Sequence, residues 1–349
     1  MKLVFNTTSL LFAREALPNG RGSATGHLLS RDRQKADAHS ITALCSLSLL
    51  LVSLAIAQQP GEKNGPRPYQ IKPDQENVHY GPHERNVLDL WKAKSDHPTP
   101  LIINIHGGGF TQGDKTSVPI YLLRYALAHG ISVATINYRY STQAPYPAPM
   151  EDGALSVQFL RSKAREWNLD PRKFAASGGS AGAGILMWIG FSRNLADPSS
   201  TDPVKRESSK LQALGPVDGQ STYDPREVNK LVGEETAKIS ALRLLVGLKP
   251  GQQPDEHTWH LYEEASPITH VTASAPPVFM YYSRPMRPLP VENTGEGIHN
   301  PRMGYLLKEK MDKLGVECQV HLVTEYQSKP PTADMFAQMV EFFISHFKE

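Results

Sequence analysis

The chain has 349 residues, of which 40% are hydrophobic, and this is enough apolar material for one large core in a single α/β domain. A formal net charge of +2 gives no electrostatic basis for binding nucleic acid. None of the 13 histidines stands in a zinc-type pair such as H-E-x-x-H, so the sequence implies no metal ion.

The first 57 residues predict an extended N-terminal region that ends in a signal peptide. Arg31, Arg33 and Lys35 precede an uncharged stretch over 41–57, which has alanine at positions 55 and 57. A basic region, an apolar core and small residues at −3 and −1 are the parts of a secretory signal. The core is short and serine-rich for a spanning helix. We expect cleavage after Ala57 and a secreted or periplasmic protein with no stable membrane span, with an uncleaved anchor as the alternative.

Residues 58–74 are rich in proline, glycine and charge and predict a flexible leader. Strand-like and helix-like segments then alternate through the predicted domain, 75–349. Apolar runs predict strands at 101–105, 131–137, 173–177, 211–217, 278–282 and 316–323. Amphipathic or apolar stretches predict helices at 118–129, 152–167, 181–191, 301–314 and 334–347. This order predicts an α/β fold with a mainly parallel twisted sheet and helices on both faces. Cys318 is expected to be a buried thiol of the last strand.

Three glycines follow His106, the residue after the strand predicted at 101–105. Glycines allow the backbone to turn its N–H groups toward an approaching carbonyl oxygen. We expect Gly108 and Gly109 to be the donors, with Gly107 the weaker candidate. His106 is expected to organise this loop.

A G-x-S-x-G motif spans Gly178 to Gly182, between the strand at 173–177 and the helix at 181–191. A sharp turn between a strand and a helix exposes the Ser180 hydroxyl and requires small neighbours. The Ala181 N–H begins the helix, where the helix dipole favours negative charge. The two motifs, in this order and at strand ends, predict a nucleophilic serine hydrolase.

At these residues the chain resembles an α/β-hydrolase of the hormone-sensitive-lipase type or a feruloyl-esterase-like carboxylesterase. The resemblance runs from about Tyr80 to the C-terminus and includes the hairpin at 80–91, Asn137–Tyr140 and Pro147–Asp152. It implies a serine carboxylesterase that forms an acyl-enzyme on short acyl or aryl esters, or on acylated carbohydrate, without a cofactor. The polar segment 220–267 is then expected to be a cap-like insertion over the mouth of the site, or else a surface excursion.

Two partners of the serine are absent from their usual places. In the resembled family a carboxylate follows the seventh strand and a histidine the eighth, but 283–290 contains no acid and 324–331 no histidine. His299 lies on the long loop after the seventh strand, and Glu325 stands where the histidine would be. We therefore predict a catalytic set of Ser180, His299 and Glu325, with Glu296 as the alternative carboxylate. His299 could instead be a surface or helix-capping residue.

The two vacant positions also motivate a second hypothesis, a catalytically inactive α/β-hydrolase-fold protein that binds an ester, sugar or protein. Retention of both the Ser180 turn and the three glycines argues against it, because such features have little structural use once catalysis is lost.

Overall fold

A computed structural model describes residues 69–347, except residues 290 and 292 and the side chain of Glu235. The predicted signal region, 1–57, and the leader up to residue 68 lie outside the described residues. In the part of the chain that is described, no helix has the length and apolar character needed to cross a bilayer.

An eight-stranded sheet forms the centre of the domain, in the spatial order β1-β2-β4-β3-β5-β6-β7-β8. The first two strands form an antiparallel hairpin, β2 pairs antiparallel to β4, and all later pairs are parallel. The mainly parallel α/β sheet predicted from the sequence is confirmed. The strands are β1 Gln75–His79, β2 Val87–Trp91, β3 Thr99–Ile105, β4 Ser132–Ile136, β5 Leu169–Gly179, β6 Leu214–Val217, β7 Val278–Tyr282 and β8 Cys318–Leu322.

Helices cover both faces of the sheet, as the alternation of elements predicts. The α-helices are α1 Ile120–Ala128, α2 Ala148–Ser162, α3 Ala164–Trp167, α4 Ala181–Phe191, α5 Pro225–Val232, α6 Glu234–Ala237, α7 Ser240–Leu245, α8 Glu256–Ala265, α9 Thr294–Ile298, α10 Arg302–Lys313 and α11 Thr332–His346. Short 3-10 turns occupy Lys115–Ser117, Pro267–His270 and Val323–Glu325. One core cluster includes buried residues of α2, α4 and α10, and the other includes residues of α1 and α11.

Several predicted boundaries differ from the structure, and two of the predicted starts lie four residues too late. Helix α2 begins at Ala148 rather than at Asp152, because Pro149 falls in its first turn, where a missing N–H costs nothing. Strand β5 begins at Leu169, four residues before the predicted strand. Cys318 is buried in β8 as predicted, and burial raises the pKa of its thiol to about 12.

The end of the predicted leader, 69–74, is packed on the domain and is not free of it. The Trp91 indole N–H donates to the Ile71 carbonyl oxygen at 2.8 Å, and the Asp74 N–H donates to Leu90 O at 2.8 Å. The Tyr69 hydroxyl donates to the carboxylate of Asp89. Aromatic and backbone contacts therefore extend the folded domain to residue 69.

Candidate active site

The turn between β5 and α4 presents Ser180 in a conformation that few residues adopt. Its φ and ψ are 50° and −116°, in a region that L-residues populate only when their surroundings enforce it. The Ser180 N–H donates to Val217 O on the neighbouring strand at 2.8 Å, which is one such constraint. The side chain remains partly exposed. The sequence prediction of a serine on a sharp strand-to-helix turn therefore matches the local backbone.

The glycine loop after β3 faces this turn. Gly108 and Gly109 have φ values of 111° and 59°, which glycine tolerates and other residues avoid. A Cβ on Gly107 would lie 2.8 Å from Gly179 O and 3.4 Å from Ser180 Cβ, so the loop packs directly against the serine. Within residues 69–347, no group accepts a hydrogen bond from the N–H of Gly108, Gly109 or Ala181. These three N–H groups, the predicted oxyanion donors, remain available.

His106 contacts the glycine loop and its neighbours through both ring nitrogens and the ring face. Its Nδ1 lies 2.7 Å from Gly107 O, its ring stacks on Tyr138 with centroids 4.5 Å apart, and its Nε2 lies 3.4 Å from Arg85 Nη2. Burial lowers the pKa of His106 to about 4, so the ring is neutral at pH 7. A neutral ring donates from Nδ1 to Gly107 O and accepts at Nε2, which matches the loop-organising role expected from the sequence.

His299 meets Ser180 across the site. Its Nε2 lies 2.9 Å from Ser180 Oγ, although the two residues are 119 positions apart in the chain. The histidine directly follows helix α9, whose first turn is capped by the Asn293 side chain accepting from Gly295 N at 2.8 Å. Both Ser180 and His299 are partly exposed. The distance suits transfer of the hydroxyl proton to the ring.

Burial of His299 favours a neutral ring that can accept this proton. Burial lowers the pKa of His299, and the negative charge of Asp218 opposes that effect. The positive charge of Arg284 lowers the pKa further, while the Gly295 backbone raises it. Since the result lies below the ordinary value of 6.5, the imidazole is mostly unprotonated at pH 7.

The structure does not bring Glu325 to His299, so the predicted partnership is corrected. The Glu325 carboxylate accepts from Leu322 N at 2.9 Å and lies 2.9 Å from His321 Nδ1. The chain turns into a 3-10 helix immediately after β8, which folds this side chain back onto its own strand. Glu296, the alternative, has no hydrogen-bonded partner for its carboxylate among the described residues.

Asp218 is the acidic residue that sequence reasoning missed. It follows β6 directly, and its carboxylate accepts from Ser283 N at 2.8 Å and from Ser283 Oγ at 2.6 Å. The sequence contained a signal for Asp218, because the residue after a parallel strand lies on the same edge of the sheet as Ser180. The prediction from sequence placed the carboxylate on the loops after the seventh and eighth strands.

The segment 220–267, predicted to be a cap-like insertion, contacts three elements that carry or adjoin the site. A Cβ on Gly297, beside His299, would lie 1.7 Å from Thr236 Oγ1, and one on Gly109 would lie 3.3 Å from Ala241 Cβ. A Cβ on Gly184 of α4 would lie 1.6 Å from the Tyr223 hydroxyl. This segment therefore packs against the histidine loop, the glycine loop and the helix that begins at the serine turn.

The assembled groups are those that ester cleavage needs: a hydroxyl nucleophile, an imidazole base and N–H donors for an oxyanion. No cluster of three or more histidine, cysteine or acidic side chains suited to a metal ion occurs among the residues described.

Several known proteins resemble this chain. It is 27% identical over 240 residues to the probable carboxylic ester hydrolase LipM of Mycobacterium tuberculosis, an alignment that covers 68% of this chain and 53% of that protein. A truncated carbohydrate esterase from gut microbiota superposes with a TM-score of 0.63 at 20% identity, covering 78% of this chain and 96% of that one. An esterase from Thermogutta terrifontis gives a TM-score of 0.56 at 19% identity, covering 78% and 94%.

These structural matches identify the α/β-hydrolase fold. The chain spans about half the length of the curated relatives it matches, 53% and 49% for two of them. The BD-FAE family profile matches residues 88–294, a segment that runs from β2 to the start of α9 and contains the glycine loop and the serine turn. Because this segment is more than half of the chain, the protein belongs to the BD-FAE family.

Proposed function

We propose that this protein is a carboxylic-ester hydrolase that works through an acyl-enzyme on Ser180. The observation that carries the proposal is the 2.9 Å contact between Ser180 Oγ and His299 Nε2, beside a glycine loop that packs against the serine turn. The esterase names of its relatives support the same reaction class.

In this mechanism Ser180 Oγ attacks the ester carbonyl carbon while His299 Nε2 takes the hydroxyl proton. The carbonyl oxygen becomes an oxyanion, and the N–H groups of Gly108, Gly109 and Ala181 donate to it. When the C–O bond breaks, His299 returns the proton to the leaving alkoxide, which departs as an alcohol. Water then attacks the acyl-enzyme with the same base and releases a carboxylic acid and the free serine.

We further propose short acyl or aryl esters, or acyl groups on carbohydrate, as substrates. The likeness to a carbohydrate esterase supports the second class, and the names of the other esterases support the first. No residue of the described site selects between them. The N-terminal sequence supports action outside the cytoplasm, in the periplasm or the medium.

The proposal is tested by assaying p-nitrophenyl acetate hydrolysis by the full chain beside Ser180→Ala and His299→Ala. Ser274→Ala and His97→Ala alter exposed residues and serve as matched controls. We expect the controls to keep the parent rate and both site variants to lose at least about 100-fold in kcat. A fluorophosphonate probe should label the parent and not Ser180→Ala. Equal background rates and no labelling of the parent would reject the esterase assignment.

A further inference from the structure

Asp218 is held in one orientation by groups at the end of one neighbouring strand, β7. Its N–H donates to Tyr281 O at 2.8 Å, and both of its carboxylate oxygens accept from Ser283. Its φ of 50° is unusual for a residue other than glycine. A non-glycine residue persists in this region when its surroundings fix it, and such positions cluster at functional sites.

Gln220 joins the loop of Asp218 to the loop of His299. Its amide nitrogen donates to Asp218 O at 2.8 Å and to Ile298 O at 3.0 Å, and the residue is only 3% exposed. Ile298 directly precedes His299, so this buried amide fixes the main chain from which the imidazole projects. A buried amide with both hydrogens engaged holds two loops more firmly than an exposed one.

We propose that Asp218 and Gln220 are the positioning residues of His299. The Asp218 carboxylate stabilises the imidazolium formed when His299 takes the Ser180 proton, and the Gln220 amide fixes the backbone of the histidine. This inference rests on the function proposed above. It assigns the carboxylate to the loop after β6 and the histidine to the loop after β7. In the resembled family the carboxylate follows the seventh strand and the histidine the eighth. Both partners therefore come one strand earlier in this chain.

The charges that face His299 agree with this assignment. Asp218 supplies the negative charge and Arg284 the positive one, and a hydrogen bond to the Gly295 backbone favours the protonated ring. Asp218 makes no hydrogen bond to the ring in this structure, so it acts on the ring through space. In a partly buried site, one unit charge alters the stability of an imidazolium measurably.

The experiment compares Asp218→Asn, Asp218→Glu and Gln220→Met with the parent full chain. Asp312→Asn, on the exposed face of α10, is the matched control, and Glu296→Gln tests the rival carboxylate. The readouts are kcat and KM across pH and the NMR titration of the His299 ring. Thermal unfolding reports whether each variant folds.

We expect Asp218→Asn to lower kcat on the order of tenfold or more with little change in KM, because imidazolium forms only along the reaction path. The His299 titration and the acid limb of the rate profile should both move to lower pH, which a merely structural defect would not cause. Asp218→Glu should restore part of both. Gln220→Met should lower kcat and leave the His299 titration where it was. Glu296→Gln and Asp312→Asn should behave as the parent.

A folded Asp218→Asn variant with parent kcat and an unmoved His299 titration would overturn the assignment of Asp218. Parent activity in Gln220→Met would do the same for Gln220. If Asp218→Asn does not fold, Ser283→Ala, which removes one of the two hydrogen bonds to the Asp218 carboxylate, carries the same test. The ring titration needs no turnover, so it decides this inference even if the parent proves inactive, whereas loss of Ser180-dependent labelling rejects only the proposed function.

Discussion

Gly182 lies directly against the carbonyl oxygen of Ile105, so closely that a Cβ at position 182 would be 2.1 Å from it. This contact joins the first turn of α4 to the end of β3, and thus the serine turn to the start of the glycine loop. Backbone atoms cannot move aside as a flexible side chain does.

Gly182→Ala is therefore expected to push α4 away from β3, lowering the unfolding free energy by about 1–3 kcal/mol and reducing esterase activity. Gly179→Ala is the matched control for stability, because a Cβ there meets nothing within 4 Å. Urea unfolding measures the difference. Equal midpoints for the two variants would contradict the packing described.

A second prediction concerns the buried ion pair between Asp89 and Lys115, whose side chains are 0% and 6% exposed. Asp89→Asn leaves the ammonium of Lys115 buried without its countercharge, which should cost about 3 kcal/mol of unfolding free energy. Glu309→Gln breaks an exposed i,i+4 pair with Lys313 and should cost less than about 0.5 kcal/mol. Comparable losses of unfolding free energy in the two variants would contradict the expected difference between the buried and the exposed ion pair.

The pH dependence of stability should report His106. Its folded pKa of about 4 lies below the ordinary 6.5, so the unfolded chain binds the proton first as pH falls. The stabilisation is complete above pH 6.5 and is lost as pH falls toward 4. The loss should reach about 3 kcal/mol.

His106→Asn should flatten that part of the curve relative to the parent. Chemical unfolding at a series of pH values measures both slopes, and the difference between them isolates His106 from the other titrating groups. Parallel curves for parent and variant would show that another group carries the effect.

The rate profile should report His299. Since burial lowers its pKa, the acid limb of kcat/KM for p-nitrophenyl acetate should fall below pH 6.5. Arg284→Gln removes a positive charge that lowers this pKa and should move the limb toward higher pH. A limb that is unchanged in Arg284→Gln would mean that a different group controls it.

Much of this arrangement could be predicted because it follows from strand ends. The glycine loop and Ser180 each come after an apolar run, and His299 lies on a loop that shares their edge of the sheet. The prediction that Glu325 is the partner of His299 was wrong, because a 3-10 turn folds the Glu325 carboxylate back to Leu322 N. Such a reversal depends on local backbone angles that no spacing rule encodes.

Asp218 also could not be assigned a role from the sequence alone. Its position after a strand was readable, but its left-handed backbone and its hold by Ser283 arise from packing between loops 65 residues apart. The link from Gln220 to Ile298 likewise joins residues 78 positions apart. Contacts of that range follow from the folded chain and not from local pattern.

The hydroxyl of Tyr69 donates a hydrogen bond to the carboxylate of Asp89, which is fully buried from solvent. Anyone who trims the N-terminus for crystallisation or labelling should accordingly cut ahead of this tyrosine. A chain that starts at Gln75 would expose the ion pair between Asp89 and Lys115 to solvent and leave the Trp91 indole N–H without its acceptor. A loss of stability in that chain would come from the truncation and not from the catalytic site.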